Sequence, residues 1–272
     1  MIKTFDDLVG YYRTTPQFLS LRLPTQKSYD YCIDRAVRTF LSPKVTFGRT
    51  NLGKIGVSEC KIAYQEWLKS GIRTANLTST VISVLFNMAV ELELMTSNPM
   101  RLVKKMQTKP RKVMWTYDQV RQFLDTAYSE FEWRSIGLIV HMAYNFAQRI
   151  GDMRSLRWDN INFEERRLDL EQSKRRAEVH IPITIHMYRM LEQQRKDFGF
   201  QEYVAPHPYP RNGGYAIYTD VDISRMVNRV KEAANLPKEL TAMDMRRTAI
   251  TEMVEAGVDT TQIMAVSGHN SP

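Results

Sequence analysis

Cysteine is nearly absent, with two residues, Cys32 and Cys60, in 272. So few thiols exclude a disulfide framework and offer no metal-ligand spacing. They read as buried thiols in a reducing compartment. A bilayer-spanning run is also missing, since the best candidate, TVISVLFNMAVELEL, is broken by polar and acidic residues. The N-terminus, MIKTFDDLVGYY, carries acids where a secretion signal carries bases. These absences predict a cytoplasmic chain with no membrane partner. Internal repeats and low-complexity tracts are lacking too. With 43% hydrophobic and 25% charged residues, the composition is that of one large globular domain or two ordinary ones.

Acidic residues are scarce in the first part of the chain. The net charge is +8; residues 1–110 hold 16 Lys and Arg against 8 Asp and Glu, leaving 22 of each sign for residues 111–272. The whole excess therefore lies in the first part, where it suits a polyanion such as nucleic acid. Residues 102–114, LVKKMQTKPRKVM, contain no acid. Lys104, Lys105, Lys109, Arg111 and Lys112 surround one proline there. A solvated loop would look the same, but between two domains such a segment could lie along phosphates. The expected division is a helical domain over 1–105, a basic linker over 106–114 and a second domain over 115–272.

The first domain reads as three or four helices in a small bundle. LPTQKSYDYCIDRAVRTFL opens with Thr25 as a cap, and VSECKIAYQEWLKSG opens with Ser58 and ends at Gly71. Val81, Leu85, Met88 and Leu92 fall at helical spacing, and Asn98-Pro99 stops that helix. In the second domain Thr116 caps TYDQVRQFLDTAY, and a longer helical segment follows, EWRSIGLIVHMAYNFAQRIGDMRSLRWDNIN. The period then changes: Leu168 and Leu170, then Val179, Ile181 and Ile183, alternate with polar residues around QSKRRAE, which predicts a β-hairpin. APHPYPRNGGY reads as a loop. The C-terminal stretch is helical again and broken at Gly257. The fold class expected is mainly α with a small β-sheet.

Four segments carry chemistry: AQRIGD, QSKRRAEVHIPI, MDMRRTA and the Gly268-His269 pair. Each is weak alone. In this order, with a hairpin between them, they resemble the catalytic domain of the tyrosine recombinase, or phage integrase, family from about Trp115 onward. The helical first part is similar to that family's core-binding domain, and the chain starts almost directly on it, so no additional N-terminal domain is expected.

The resemblance implies site-specific DNA strand exchange by transesterification, integrating phage or mobile-element DNA in a bacterial cytoplasm. The phosphorane-like state gathers negative charge on two non-bridging oxygens, which planar, permanently charged guanidiniums suit. The matching positions are Arg149 and Arg246. Asp152, three residues after Arg149, would orient it if that stretch is helical. Lys174 matches the hairpin lysine that protonates the leaving 5′ oxygen, an easier task beside two cations. Arg175 and Arg176 at the same tip are candidates for backbone phosphates. His269 matches a histidine that donates to a non-bridging oxygen. Taken singly, each has a plainer reading: a surface ion pair, a turn lysine, a helix C-cap.

Two features depart from the family pattern. Met243 stands where a histidine usually precedes the second arginine by three residues, and a thioether neither donates a hydrogen bond nor carries a proton. The site tolerates the change, a neighbour compensates, or catalysis is weak. Arg247 is no obvious substitute. The family's nucleophile is a tyrosine shortly after the Gly-His pair, yet all 13 tyrosines here precede His269. The expectation is a sequence cut before its nucleophile, binding DNA without cleaving it. Because the phosphotyrosyl link would keep the energy of the broken bond, neither ATP nor a metal or other cofactor is implied. The implied partners are double-stranded DNA, further copies in a tetramer on two sites, and accessory DNA-bending proteins. The two domains would close on DNA as a C-shaped clamp.

Two rival readings stay open at this point. In the first, AITEMVEAGVDTTQIMAVSGH is a helix-turn-helix of a non-catalytic regulator, with Thr260, Thr261 and Gln262 near the start of the second helix. The other is an enzyme acting on phosphate esters unrelated to DNA.

Overall fold

In the computed structural model, which describes residues 2–174, 176–210 and 213–269, the chain divides into two compact units, Met1–Pro110 and Arg111–Pro272. Arg175 and the tail after His269 lie outside the described residues. The architecture is mainly helical with two small antiparallel sheets. No described helix is long and apolar enough to cross a membrane.

The first unit is a bundle of α1 (Phe5–Thr14), α2 (Pro16–Leu19), α3 (Leu23–Arg38), α4 (Val57–Leu68) and α5 (Ile72–Glu91). Its core is aromatic: Phe5 meets Phe47 and Phe86 edge-on, and Phe47 meets Trp67. Helix α1 was not anticipated, although its signal is legible in TFDD. Asp7 N–H donates to Thr4 Oγ1 and Thr4 N–H donates to the Asp7 carboxylate, closing a capping box. A short hairpin, β1 (Phe40–Ser42) with β2 (Val45–Thr46), was also missed.

The expected caps need correction. Thr25 lies inside α3, which starts two residues earlier with Pro24 in its first turn. Ser58 lies inside α4, where Glu59 instead accepts from Gly56 N–H. Gly71 does not end α4. It has a positive φ of 99° and leads into α5. Helix α5 buries Val81, Leu85 and Met88, but Leu92 is exposed. The helix stops at Glu91, before Asn98-Pro99, because Glu93 turns left-handed and Leu94 and Met95 N–H both donate to Ala89 C=O.

The second unit comprises α6 (Tyr117–Ser129), α7 (Phe131–Asn145), α8 (Ile150–Arg154), α9 (Ile185–Phe198), α10 (Asp220–Ala233), α11 (Met245–Glu255), α12 (Thr260–Ser267) and a three-stranded sheet, with α6, α8, α10 and α11 packed against the largely buried α7. Thr116 caps α6 in a capping box with Gln119, as its sequence predicts. The strands are β3 (Ile161–Asn162), β4 (Arg167–Glu171) and β5 (Glu178–Pro182). The hairpin is present with Leu168 opposite Ile181 and Leu170 opposite Val179. Strand β3 adds an edge that the sequence pattern did not suggest. The expected long helical segment is interrupted: α7 stops at Asn145, Ala147 takes a φ of 50°, and Arg149 becomes the residue that opens α8. That break puts Arg149 at a helix start.

Inside this unit His141 is buried beside His186, with its Nδ1 3.1 Å from the Tyr128 hydroxyl. Burial, then the neighbouring imidazole, pushes its pKa from 6.5 down to about 4. Between those values the unfolded chain binds a proton that the folded chain does not, so stability falls as pH falls through this window. The loss attributable to His141 reaches on the order of 3 kcal/mol at the acid end. Thermal unfolding from pH 7.5 to pH 4.5 is expected to show a fall in midpoint that is clearly shallower in His141→Gln. Equal slopes would refute the assignment.

Candidate active site

The basic segment is tied down at both ends. Lys105 Nζ donates to Thr80 Oγ1 at 2.8 Å, and Met106 N–H donates to Tyr64 at 2.8 Å, within the first unit. Within the second, Arg111 makes a two-pronged contact with the buried Asp244, at 2.9 and 2.8 Å, and also donates to Glu239 C=O. Burial raises the Asp244 pKa, but hydrogen bonds from Arg111 and Thr241 outweigh it and hold the carboxyl below its usual range. Arg111 is thus engaged by a carboxylate, whereas Lys104, Lys109 and Lys112 are exposed. Arg176 pairs with Glu171 at 2.8 Å on the hairpin.

This anchoring shapes the approach to the second arginine. Trp115 N–H donates to Thr248 and its indole to Thr241 C=O. The buried Lys231 donates to the carbonyls of Lys238 and Leu240, at 2.9 and 2.6 Å, and burial lowers its pKa. Together these contacts hold the short turn Ala242–Asp244 that opens α11. Arg246 follows in the first turn of that helix. Met243 points outward, 83% exposed, so no side chain with a proton to give stands at that position.

Four separate segments then meet. Arg149 Nη1 donates to Gln172 Oε1 at 2.7 Å and lies 3.8 Å from Asp152 Oδ2. Arg149 is the extended residue before α8 and not part of the helix, so the expected helical spacing does not apply to it, yet the two charges still lie 3.8 Å apart. Asp152 Oδ1 accepts from Ser173 N–H at 3.1 Å, tying α8 to the hairpin one residue before Lys174. Lys174 itself is exposed at the turn. Arg246 Nη2 donates to Ser267 C=O at 2.7 Å and lies 3.3 Å from His269 Nε2. Gly268 ends α12 in the left-handed region, with φ 66°, and this reversal turns His269 back toward Arg246.

The His269 ring is held on both edges: Nε2 faces Arg246, and Nδ1 lies 2.8 Å from Ser267 Oγ. The cluster thus gathers two permanent cations and an imidazole, a donor set suited to a tetrahedral oxyanion, and Lys174 follows Gln172 by two residues on the hairpin turn. Arg149, Asp152, Arg246 and His269 are brought together. The contacts of Gln148, Gln172 and Ser267 were not anticipated, because uncharged side chains carry no signal of chemistry.

A sequence model described as the phage integrase family matches residues 114–272. The integrase of Enterobacteria phage 434 is 27% identical over 114 residues, covering 42% of this chain and 31% of that protein. The chain spans less than half the length of the curated relatives it matches. Among solved structures, a lambda integrase tetramer bound to a Holliday junction superposes with a TM-score of 0.81 at 18% identity, over all of this chain and 78% of that one. The Tn1549 transposon integrase in complex with a circular intermediate DNA gives 0.79 at 17% identity, over 99% and 93%. At such identities the structural likeness is one of fold.

Proposed function

This chain belongs to the phage integrase family, and on that premise we propose that it is the DNA-binding and phosphate-activating part of a site-specific recombinase that works through a 3′-phosphotyrosyl link. The observation that carries this reading is the convergence of Arg149, Arg246 and His269, the two arginines being linked through the Gln172 amide and the Ser267 carbonyl. The two guanidiniums take the non-bridging oxygens of the scissile phosphate, and His269, protonated, donates to one of them. Asp152 orients Arg149. A tyrosine hydroxyl attacks phosphorus, losing its proton to solvent and forming one phosphoester bond as the bond to the 5′ oxygen breaks, and Lys174 gives that oxygen its proton. The number of phosphoester bonds is unchanged, so the step consumes no ATP.

Lys104, Lys109 and Lys112, with Lys105, Arg175 and Arg176, supply contacts to flanking phosphates. Copies of the chain assemble on two DNA sites as a tetramer, a reading supported by the lambda integrase assembly on a Holliday junction.

None of the 13 tyrosines follows His269, so residues 1–272 bind DNA without cutting it, and a chain extended to a tyrosine beyond the Gly-His pair cuts. The test uses a nicked duplex carrying the element's own junction, which traps a covalent product. Gel retardation with no denaturant-resistant adduct is expected for residues 1–272, and an adduct for the extended chain. An adduct formed by residues 1–272 alone would refute the placement of the nucleophile. Retardation by the extended chain with no cleavage would favour a DNA-binding regulator.

A further inference from the structure

We infer that Gln172, which has no acid–base chemistry of its own, is a positioning residue that sets the two arginines of the site relative to one another. It rests on the reading above that Arg149 and Arg246 hold a phosphodiester. Gln172 is fully buried at the base of the hairpin. Its Oε1 accepts from Arg149 Nη1 at 2.7 Å. Its Nε2 donates to Ser267 C=O at 2.8 Å and to Gln148 Oε1 at 2.6 Å. The same Ser267 carbonyl accepts from Arg246 Nη2 at 2.7 Å. One side-chain amide and one backbone carbonyl therefore link the two guanidiniums.

The amide can sit only one way. Arg149 only donates and the Ser267 carbonyl only accepts, so a reversed amide would set donor against donor at one end and acceptor against acceptor at the other. Gln148 braces it from behind, donating to the carbonyls of Phe146 and Val266 at 2.9 and 2.7 Å. Neutrality matters as well. A carboxylate in this place could hold Arg149 but has no N–H for the Ser267 carbonyl, and it would cancel part of the charge that the phosphate needs, whereas an amide links both without cancelling. Gly268 completes the fit, because a Cβ there would lie 2.7–2.9 Å from the Gln172 amide atoms, and its φ of 66° already disfavours a side chain.

The test is a titration of residues 1–272 with a dinucleotide, which has a single phosphodiester, followed by NMR of the arginine side chains. In the unaltered protein Arg149 and Arg246 are expected to respond together with one dissociation constant. Gln172→Leu should raise that constant at least tenfold and uncouple the two responses, while the Arg111 signal, fixed by Asp244, stays in place and reports folding. Gly268→Ala keeps the amide but displaces it, and should produce the same uncoupling. A folded Gln172→Leu protein with an unchanged constant, even one that melts earlier, would overturn the inference and leave a purely structural role. Should Gln172→Leu fail to fold, Gly268→Ala decides, and an unchanged constant there would overturn it. If neither arginine responds in the unaltered protein, and Arg149→Ala changes nothing, the phosphate-site reading falls and the inference falls with it.

Discussion

Arg149→Ala, in a chain extended to include a tyrosine beyond the Gly-His pair, is expected to lose strand cleavage by about a thousandfold or more while still binding DNA. The rate effect is large because a preorganised donor aimed at developing charge acts mainly in the transition state. Removal of one such donor alone costs roughly 10²–10³-fold, and here a full positive charge goes as well. The binding effect is small because one cation among many is lost, shifting the salt slope by only about 0.9. Arg149→Lys should fall between the two. It keeps the charge but cannot hold Gln172 Oε1 and a phosphate oxygen in one planar fork. Cleavage of the nicked junction duplex and gel retardation, measured on the same preparations, separate the two effects. Equal losses in binding and cleavage would mean that Arg149 serves affinity and not the chemical step.

DNA binding by residues 1–272 is expected to weaken by about 10³–10⁵-fold between 50 and 200 mM salt, the range for 6–10 phosphate contacts. The charge excess lies in the first 110 residues, and Lys104, Lys109 and Lys112 are exposed. Replacing these three by glutamine should lower the slope of log affinity against log salt by roughly three. Arg111→Gln should behave differently. Its guanidinium is held by Asp244, so the substitution should lower the melting temperature of the second unit more than it changes the slope. Salt-independent binding would refute an interface built on phosphates.

The extent to which the sequence could be read followed the range of the interactions involved. The capping box at Thr116, the alternation of Leu168 and Leu170 with Val179 and Ile181, and the stop at Gly257 are local patterns, and each appears in the structure. Thr25 and Ser58 failed as caps because neighbouring residues competed: Pro24 fits the first turn of α3, and Glu59 reaches back to Gly56. The break between α7 and α8 could not be read, since no glycine or proline marks Ala147. Only the packed surroundings hold that left-handed residue in place.

The sequence by itself determined a mainly helical chain with a basic first part, and it named Arg149, Lys174, Arg246 and His269 through motifs whose order has meaning. The helical and basic character is legible because charge and short-range periodicity are properties of neighbouring residues, whereas those four positions came from the family resemblance of the motifs. Only the tertiary structure decided how those groups are held. Gln172 reaches Ser267 across 95 positions of chain, and Arg111 reaches Asp244 across 133. Such contacts leave no trace in local pattern, because an amide or a carbonyl acquires direction only when folding brings its partner within hydrogen-bond reach and water is excluded around both.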